Sequence, residues 1–237
     1  MLQTSHRSAE TSVRVASDVL RGFAGRQRIE TTHEVGNPLT ALGTRVQFGA
    51  RSAIVREGEA ADWLFRLTDG VVKLHRLLPD GRCQIVGLLF AGDFLGIDRE
   101  GAVPYSASAV GRVAAERYPR RAVDRLCDSS ALAAGLLLRW ASHELLAAQD
   151  QILLLGRKTP REKLASFLLG VSRRQRNPAV IRLPMTRTDI ADYLGITLET
   201  VSRSMARLRR DGLIKPVDRK AVRIVDLAAL EQLADCA

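Results

Sequence analysis

Four glycine-containing turns, about ten residues apart between residues 45 and 118, limit what this chain can fold into. They separate short apolar or alternating runs, which are typical of strands rather than helices. The turns are Glu57-Gly58, Asp69-Gly70, Pro79-Asp80-Gly81 and Gly92-Asp93, and the clearest runs are 63–67, 71–75 and 84–90. Short strands joined by tight turns predict a small β-sandwich or barrel in this part of the chain.

The next segment, 122–157, lacks such turns and predicts one long helix. Its apolar residues recur in alternating steps of three and four, which is the pattern of a coiled-coil seam. The predicted seam consists of Leu138, Ala141, Leu145, Ala148, Ile152 and Leu155. A helix this long beside a small sandwich favours pairing with a second copy of the chain. The alternative is a helix packed wholly on its own domain.

Thr159-Pro160 predicts a new helix start, because threonine caps a helix and proline suits its first position. This second helix is predicted over 161–171, and a basic loop follows it. Before the strands, residues 1–40 are predicted as a loose lead-in with one short helix, Ser17 to Phe23.

The segment from Thr186 to Arg210 has the pattern of two helices joined by a glycine turn. The first is predicted over Arg187–Leu194, and Gly195 suits a turn that needs a positive φ. Thr197 is predicted to cap the second helix. On that helix Leu198, Val201, Met205 and Leu208 are predicted to be buried, whereas Glu199, Ser202 and Arg203 lie on an outward face with Ala206 and Arg210.

The outward side chains suit the edges of DNA bases. Arg203 can pair with guanine O6 and N7, Glu199 can accept from cytosine N4, and Ser202 can bond to either kind of edge. A major groove admits such a helix, with its N-terminal residues nearest the bases. The alternative is an ordinary helical hairpin with an exposed face of mixed charge.

Two short β-runs, 213–217 and 221–225, flank the charged turn Asp218-Arg219-Lys220 and predict a wing. Phosphate contacts position a protein on DNA without reading its sequence. The residues predicted to make them are Thr186, Arg187, Thr197, Thr200, Arg219 and Lys220. Exposure of the wing turn without any contact is the competing interpretation.

The charge distribution agrees with a polyanionic partner. The chain carries a net charge of +10, and residues 157–223 alone hold 17 Lys and Arg against 6 Asp and Glu. Such a local positive field attracts nucleic acid. A solvated basic surface is the alternative interpretation of the same counts.

Other classes of function have little support in the sequence. The three cysteines, Cys83, Cys127 and Cys236, are far apart, so no disulfide framework, iron–sulfur cluster or other metal site is expected, although Cys83 and Cys127 are possible redox-sensitive thiols. No nucleophile–base constellation or Walker A loop indicates an enzyme. No apolar run is long enough to cross a bilayer and no secretory signal is evident, so a cytoplasmic protein without a membrane partner is expected.

These motifs resemble the CRP/FNR superfamily of bacterial transcription regulators, on its FNR/FixK side. The resemblance covers about residues 40–235 and is carried by 149–155, by 183–195 and above all by Glu-x-x-Ser-Arg at 199–203. It implies an α+β fold with a β-roll or jelly-roll sensor domain of the cyclic-nucleotide-binding type, a long dimerisation helix and a winged helix-turn-helix. The implied division is 1–40 lead-in, 41–120 sensor-like domain, 121–157 dimerisation helix and 158–237 DNA-binding domain.

The resemblance also indicates which cofactors the chain lacks. FNR carries an N-terminal cysteine cluster for its iron–sulfur centre, and this chain has no cysteine before Cys83. Cyclic-AMP-binding members carry Gly-Glu and Arg-Ser elements, where this chain has Gly96-Ile97 and Tyr105-Ser106. Ala148 takes the place of an acidic seam residue that disfavours dimerisation in oxygen-responsive relatives. No cofactor is therefore expected.

The resulting hypothesis is a homodimeric, FixK-like activator that acts with RNA polymerase on genes for oxygen limitation or respiration. Glu199, Ser202 and Arg203 would read a palindrome of the type TTGAT-N4-ATCAA, which suits a two-fold dimer. The alternative hypothesis is a regulator whose β-domain binds a small molecule, as in the haem or nitric oxide sensors of the Dnr/NnrR type.

Overall fold

A computed structural model describes residues 38–97, 101–176 and 179–235. The predicted lead-in helix Ser17–Phe23 and Cys236 lie outside the described residues. The strands are β1 Thr44–Phe48, β2 Ala53–Val55, β3 Trp63–Asp69, β4 Val71–Leu77, β5 Cys83–Phe90, β6 Phe94–Leu95, β7 Ser106–Ala109, β8 Val113–Pro119, β9 Val180–Arg182, β10 Ile214–Asp218 and β11 Ala221–Ile224. The helices are α1 Arg120–Ser129, α2 Ala131–Arg157, α3 Pro160–Gln175, α4 Arg187–Leu194, α5 Leu198–Arg210 and α6 Leu227–Asp235.

The described residues form two compact units. The first unit contains 38–155 together with 184–202, and the second contains 156–183 together with 203–235. The helix α4 therefore belongs to the same compact unit as the strands β1 to β8. The helix α5 begins in the first unit and ends in the second.

The first unit contains two antiparallel sheets with the strand orders β1-β8-β3-β6 and β2-β7-β4-β5. Side chains from both sheets form one apolar core, so the predicted β-sandwich is confirmed. The core consists of Phe65, Leu67, Val72, Leu74, Leu89, Leu95, Ala107, Ala109 and Val113.

The sheet containing β3 is also covered on its other face. Leu64 points there, because successive side chains of a strand alternate between faces. Phe94, Tyr118 and Trp140 share this second cluster, and the Trp140 and Phe94 ring centroids are 4.9 Å apart. Trp140 lies on α2, so this cluster anchors the long helix to the sheet.

The prediction of one helix over 122–157 is wrong, because the segment is divided at Ser130. This residue has an extended backbone, with φ −135° and ψ 106°. Its side-chain hydroxyl accepts a hydrogen bond from the Ala133 amide at 3.3 Å and so begins α2 as a cap. The run Asp128-Ser129-Ser130 consists of residues that favour helix ends, and this was the signal for the break.

The second unit contains α3, the sheet β10-β11-β9 and α6. Thr159 caps α3 as predicted, and Thr159 and Glu162 form a reciprocal capping box. The helix runs on to Gln175, beyond its predicted end. The two wing strands are confirmed, and the charged turn joins β10 to β11.

A pair of glycines provides a test of the sandwich. Gly70 joins β3 to β4 with φ +88°, and a Cβ added there would lie 2.4 Å from the Arg112 carbonyl oxygen. Gly58 has a similar φ of +86°, but a Cβ there would meet nothing within 4 Å. Gly58→Ala is therefore expected to cost about 1 kcal/mol through backbone strain alone. Gly70→Ala is expected to cost about 2–4 kcal/mol, because the clash adds to the strain. Urea unfolding of both variants checks this difference, and equal losses would contradict it.

Candidate nucleic-acid interface

The helix α4 begins with a capping box. The Thr186 hydroxyl accepts from the Asp189 amide at 3.0 Å, and the Thr186 amide donates to Asp189 Oδ2 at 2.9 Å. The Thr186 hydroxyl also donates to Asp189 Oδ2 at 2.7 Å. The predicted helix bounds, Arg187–Leu194, are confirmed. Both donors of Thr186 are directed to Asp189, so a phosphate contact by Thr186 would compete with the helix cap.

The Asp189 carboxylate is bound on its other oxygen as well. Lys73 Nζ on β4 lies 2.5 Å from Asp189 Oδ1, and the two side chains are only 26% and 12% exposed. Burial alone would raise the pKa of Asp189, but the hydrogen bonds from Lys73 and Thr186 outweigh it and lower that pKa. Asp189 therefore carries its negative charge at neutral pH.

A glycine turn connects α4 to α5 as predicted. Gly195 has φ +60° and ψ 41°, a left-handed conformation that glycine adopts without a steric cost. The Thr197 hydroxyl accepts from the Thr200 amide at 3.2 Å, which confirms Thr197 as the cap of α5. The Thr197 and Thr200 hydroxyl oxygens are 2.8 Å apart. Because they share one hydrogen, a second hydroxyl hydrogen remains to donate outward.

The helix α5 has one buried and one exposed face. Its buried residues are Val201, Ser204, Met205 and Leu208. The prediction that Leu198 is buried is wrong, because its side chain is 48% exposed. At about 100° per residue, Leu198 lies roughly 70° from the centre of the buried stripe and borders the outward face. The buried Ser204 was missed because its polarity hid its place in the stripe.

Four side chains follow one another on the exposed face: Leu198, Glu199, Ser202 and Arg203. The Ser202 hydroxyl donates to the Leu198 carbonyl at 3.0 Å, so its remaining lone pairs face outward as acceptors. The face thus offers an apolar group, a carboxylate, a hydroxyl acceptor and a guanidinium within one and a half turns of the helix start. Leu198 is the functional candidate that the sequence interpretation missed, and its place beside Glu199 was the signal.

The remaining predicted phosphate contacts are mostly at the surface. Arg187 and Thr197 are exposed in the first unit, and Thr200 is half-buried. Arg219 and Lys220 are exposed in the wing turn of the second unit. That turn is fixed by the Lys220 amide, which donates to Asp218 Oδ1 at 2.6 Å.

One face of the long helix α2 packs against its own chain, and the opposite face, called the open face below, is exposed. Its buried residues are Ala133, Leu136, Trp140, Ala147, Gln151 and Leu154. The predicted seam lies on the other side, where Leu138 is 68%, Leu145 61% and Ile152 68% exposed. Ala148 is exposed, and Ala141 and Leu155 are half-buried. The open apolar face is also wider than the predicted seam, because it includes Leu146 and Leu153.

Neither candidate redox thiol forms a disulfide within the part of the chain that the structure describes. Cys83 begins β5, and burial together with the nearby carboxylates of Asp192 and Asp189 raises the pKa of its thiol. A raised pKa disfavours the reactive thiolate. Cys127 lies on α1 and is half-buried.

An apolar cavity of about 260 Å³ lies beside α1 and α2. Its lining residues are Ile97, Arg120, Cys127, Ala134, Leu137, Leu138 and Ala141. Arg120 donates to the carbonyl oxygens of Gly96 and Ala61. A cyclic nucleotide needs a cation for its phosphate and an acceptor for its ribose. These residues do not fit a cyclic nucleotide, because Ile97 offers no acceptor for the ribose and Arg120 already donates to backbone carbonyls.

No three His, Cys, Asp or Glu side chains within 38–97, 101–176 and 179–235 are grouped so that they could hold a metal ion. None of the helices in these ranges combines the length and the apolar character that crossing a membrane requires.

Comparison with known protein families gives two matches. A cyclic nucleotide-binding domain matches residues 45–130, and a Crp-like helix-turn-helix domain matches residues 162–233. The first match covers the β-sandwich and α1. The second covers α3 to α6.

Individual relatives match most of the chain. It is 40% identical over 200 residues to the transcriptional activatory protein AadR of Rhodopseudomonas palustris, covering 81% of this chain and 82% of AadR. It is 38% identical over 197 residues to the nitrogen fixation regulation protein FixK of Bradyrhizobium diazoefficiens, covering 81% and 83%. The structure of FixK2 from Bradyrhizobium japonicum superposes with a TM-score of 0.79 at 32% identity, covering 82% of this chain and 98% of that one.

The Lys73–Asp189 ion pair is expected to be visible by titration. In Lys73→Met the pKa of Asp189 should rise, because an attractive charge and a hydrogen bond are lost. Since the folded-state pKa lies below the ordinary value of 3.8, the pair stabilises the fold above that pH. Its contribution is lost as the pH falls through the folded-state pKa. Carboxyl-carbon NMR of both proteins checks the shift, with Arg82→Met as a control in the turn of the same hairpin. Identical Asp189 titration curves in all three proteins would contradict the ion pair.

Proposed function

The chain belongs to the CRP/FNR family of transcription regulators, on its FixK-like branch, and we propose that it acts as a homodimeric activator. Its operator in this proposal is a palindrome of the type TTGAT-N4-ATCAA. The relatives with this helix-turn-helix are transcription regulators, which supports a DNA-binding regulator here. That the chain is not an enzyme belongs to the proposal. The operator sequence, the base-reading roles and the dimer seam belong to the proposal. So do the domain limits at residues 40, 120 and 157 and the cytoplasmic location.

The exposed face of α5 carries the proposal. It presents Leu198, Glu199, Ser202 and Arg203 at the end of the helix that enters a major groove first. Glu199 would accept from a cytosine or adenine amino group, and Arg203 would pair with guanine. The outward lone pairs of Ser202 suit an amino donor. Leu198 would pack against a thymine methyl group, which a TTGAT half-site supplies twice at its start.

Phosphate contacts would hold this face in register. Thr197 and Thr200 would donate to backbone phosphates near the start of α5, and Arg187, Arg219 and Lys220 would neutralise phosphate charge. Thr186 remains a weaker candidate, because its donors serve the α4 cap. The excess of 17 basic over 6 acidic residues in 157–223 agrees with this use.

The open face of α2 supports dimerisation. Leu138, Leu145 and Ile152 are more than half exposed at seven-residue spacing, which is the spacing of a coiled-coil seam. Ala141 and Ala148 between them would let two helices approach closely. Apolar side chains in such a row gain free energy when a second copy covers them.

We propose that DNA binding needs no effector, because the chain has Gly96-Ile97 and Tyr105-Ser106 where cyclic-AMP-binding relatives carry Gly-Glu and Arg-Ser. We infer that control comes from the amount of protein or from an upstream sensor, and that the genes serve oxygen limitation or respiration through RNA polymerase. The small-molecule alternative has less support. The cavity of about 260 Å³ is below the roughly 300–1,000 Å³ that ligand pockets usually offer. Neither His75 nor His143 lines it.

The experiment that tests this function is fluorescence anisotropy with labelled TTGAT-N4-ATCAA and a scrambled duplex at one salt concentration, without any ligand. Protein purified in air is expected to bind the palindrome with a Kd of about 10 nM or tighter and the scrambled duplex at least ~1,000-fold more weakly. Equal affinity for the two duplexes would refute the operator.

Substitution of the reading face is expected to relax base discrimination. Arg203→Ala should cost about 1–3 kcal/mol on the palindrome, with preference lost at one base pair per half-site. Leu198→Ala should act in the same way at a thymine, measured by replacing that thymine with uracil, which lacks the methyl group. An equal loss on scrambled DNA would show that Arg203 binds phosphate instead.

Charge in the seam is expected to weaken the dimer. Ala148→Asp places two carboxylates between the helices, and their desolvation and repulsion should raise the dimer dissociation constant by at least ~100-fold. Gln149→Asp is the matched control, because Gln149 is exposed one residue outside the seam. Analytical ultracentrifugation over a dilution series distinguishes the two. Unchanged dimerisation of Ala148→Asp would show that the seam lies elsewhere.

A further inference from the structure

The first helix of the helix-turn-helix, α4, is held at its N-terminal end by the sheet. Asp189 Oδ2 accepts from the Thr186 amide at 2.9 Å and forms the helix cap. Asp189 Oδ1 is left for Lys73, whose Nζ on β4 lies 2.5 Å away. One carboxylate thus joins the start of α4 to a strand that precedes it by more than a hundred residues.

The C-terminal end of α4 is also held from outside. The last four carbonyls of a helix have no partner within it. The two amides of the following turn both return to the Ala191 carbonyl. The Asp192 carbonyl accepts from Gln84 Nε2 on β5 at 2.6 Å, and the Tyr193 carbonyl accepts from Gln151 Nε2 on α2 at 2.8 Å. Side chains from two other elements therefore complete this helix end.

Both glutamines use their side-chain amides to hold the end of α4. Gln84 Nε2 also donates to the Ile85 carbonyl at 3.0 Å, so both of its amide hydrogens are used. Gln151 is buried, and a buried amide without a partner is costly. Moving α4 away would remove the Tyr193 carbonyl from the buried Gln151 amide. The contact thus satisfies the carbonyls at the end of α4 and the side-chain amides of the two glutamines.

This arrangement leaves the reading face uncovered. With α4 held by Lys73, Gln84 and Gln151, the side chains of Leu198 and Glu199 on α5 remain exposed. A clamp that blocked DNA binding would cover these residues. The contacts instead hold the helix-turn-helix while its outward face stays open.

We propose that Lys73, Gln84 and Gln151 are positioning residues for operator recognition, which clamp α4 to the sheet and to α2 and so preset the distance between the two recognition helices of a dimer. This inference rests on the proposed function. Because Gln151 lies on the helix whose other face carries the seam, each clamp ties one α4 to the dimer axis. The clamp therefore selects the spacer length between half-sites, whereas the α5 face selects their bases.

The test measures spacer preference separately from base preference. Lys73→Met, Gln84→Leu, Gln151→Leu and their combination are titrated against palindromes with N3, N4 and N5 spacers. Each single variant is expected to bind the N4 operator about tenfold more weakly. The reason is that α4 must then become ordered when DNA binds, and this ordering costs binding free energy. The N4-to-N5 affinity ratio should fall toward one in the combined variant. Discrimination against single base changes within a half-site should stay at the wild-type level.

Matched controls separate the clamp from general effects. Arg82→Met removes a positive charge from the same hairpin, where Arg82 pairs with Asp80, and Gln149→Leu changes an exposed glutamine of α2. Both controls are expected to keep the wild-type spacer preference. Lys73→Met keeps the test informative if Gln151→Leu fails to fold. A wild-type N4-to-N5 ratio in well-folded clamp variants would overturn the proposal.

A readout without DNA distinguishes failure of the clamp from failure of the proposed operator. Amide hydrogen exchange of residues 187–194 should be about tenfold faster in the combined variant than in wild type. Faster exchange in a protein whose wild type ignores the palindrome would support the clamp and refute the operator. Unchanged exchange would refute the clamp whatever the DNA result.

Discussion

The packing of Trp140 against Phe94 fixes the rotation of α2 about its own axis, and much of the remaining molecule follows from that rotation. In a helix with 3.6 residues per turn, one anchored aromatic decides where every other side chain points. Leu136 and Leu154 consequently face their own chain. Leu145 lies on the opposite side of the helix, and its side chain is exposed. The sandwich thus orients a helix of 27 residues through the cluster around Trp140.

The same rotation brings Gln151 to the end of α4. One helix therefore carries the proposed dimer seam and a support for the proposed DNA-reading segment on different sides. The β-sheets contribute Lys73 and Gln84 to that support, although nothing in them contacts a base in the proposed complex. In the proposed complex the sensor-like fold would serve as a frame, which agrees with a cavity whose residues do not fit a cyclic nucleotide.

Local chemistry determined what the sequence could predict. Glycine turns marked the strands, and threonine caps at 159 and 197 marked helix starts, because these signals depend on neighbours in the chain. The break at Ser130 was missed when periodicity was given more weight than a run of capping residues. Leu198 was placed on the buried face because it lies at the border of the buried stripe, where apolar spacing alone does not determine exposure. The clamp could not be predicted, since Gln84 and Asp192 meet only after the chain has folded.

The width of the open face on α2 has a consequence for dosage. A separated subunit exposes Leu146 and Leu153 to water in addition to the seam, so it is poorly suited to persist alone and would be prone to aggregation or degradation. If the proposed dimer binds DNA without an effector, operator occupancy at low abundance rises with the square of subunit concentration. A modest change in synthesis would then produce a steeper change in transcription, and the apolar face itself would set the threshold.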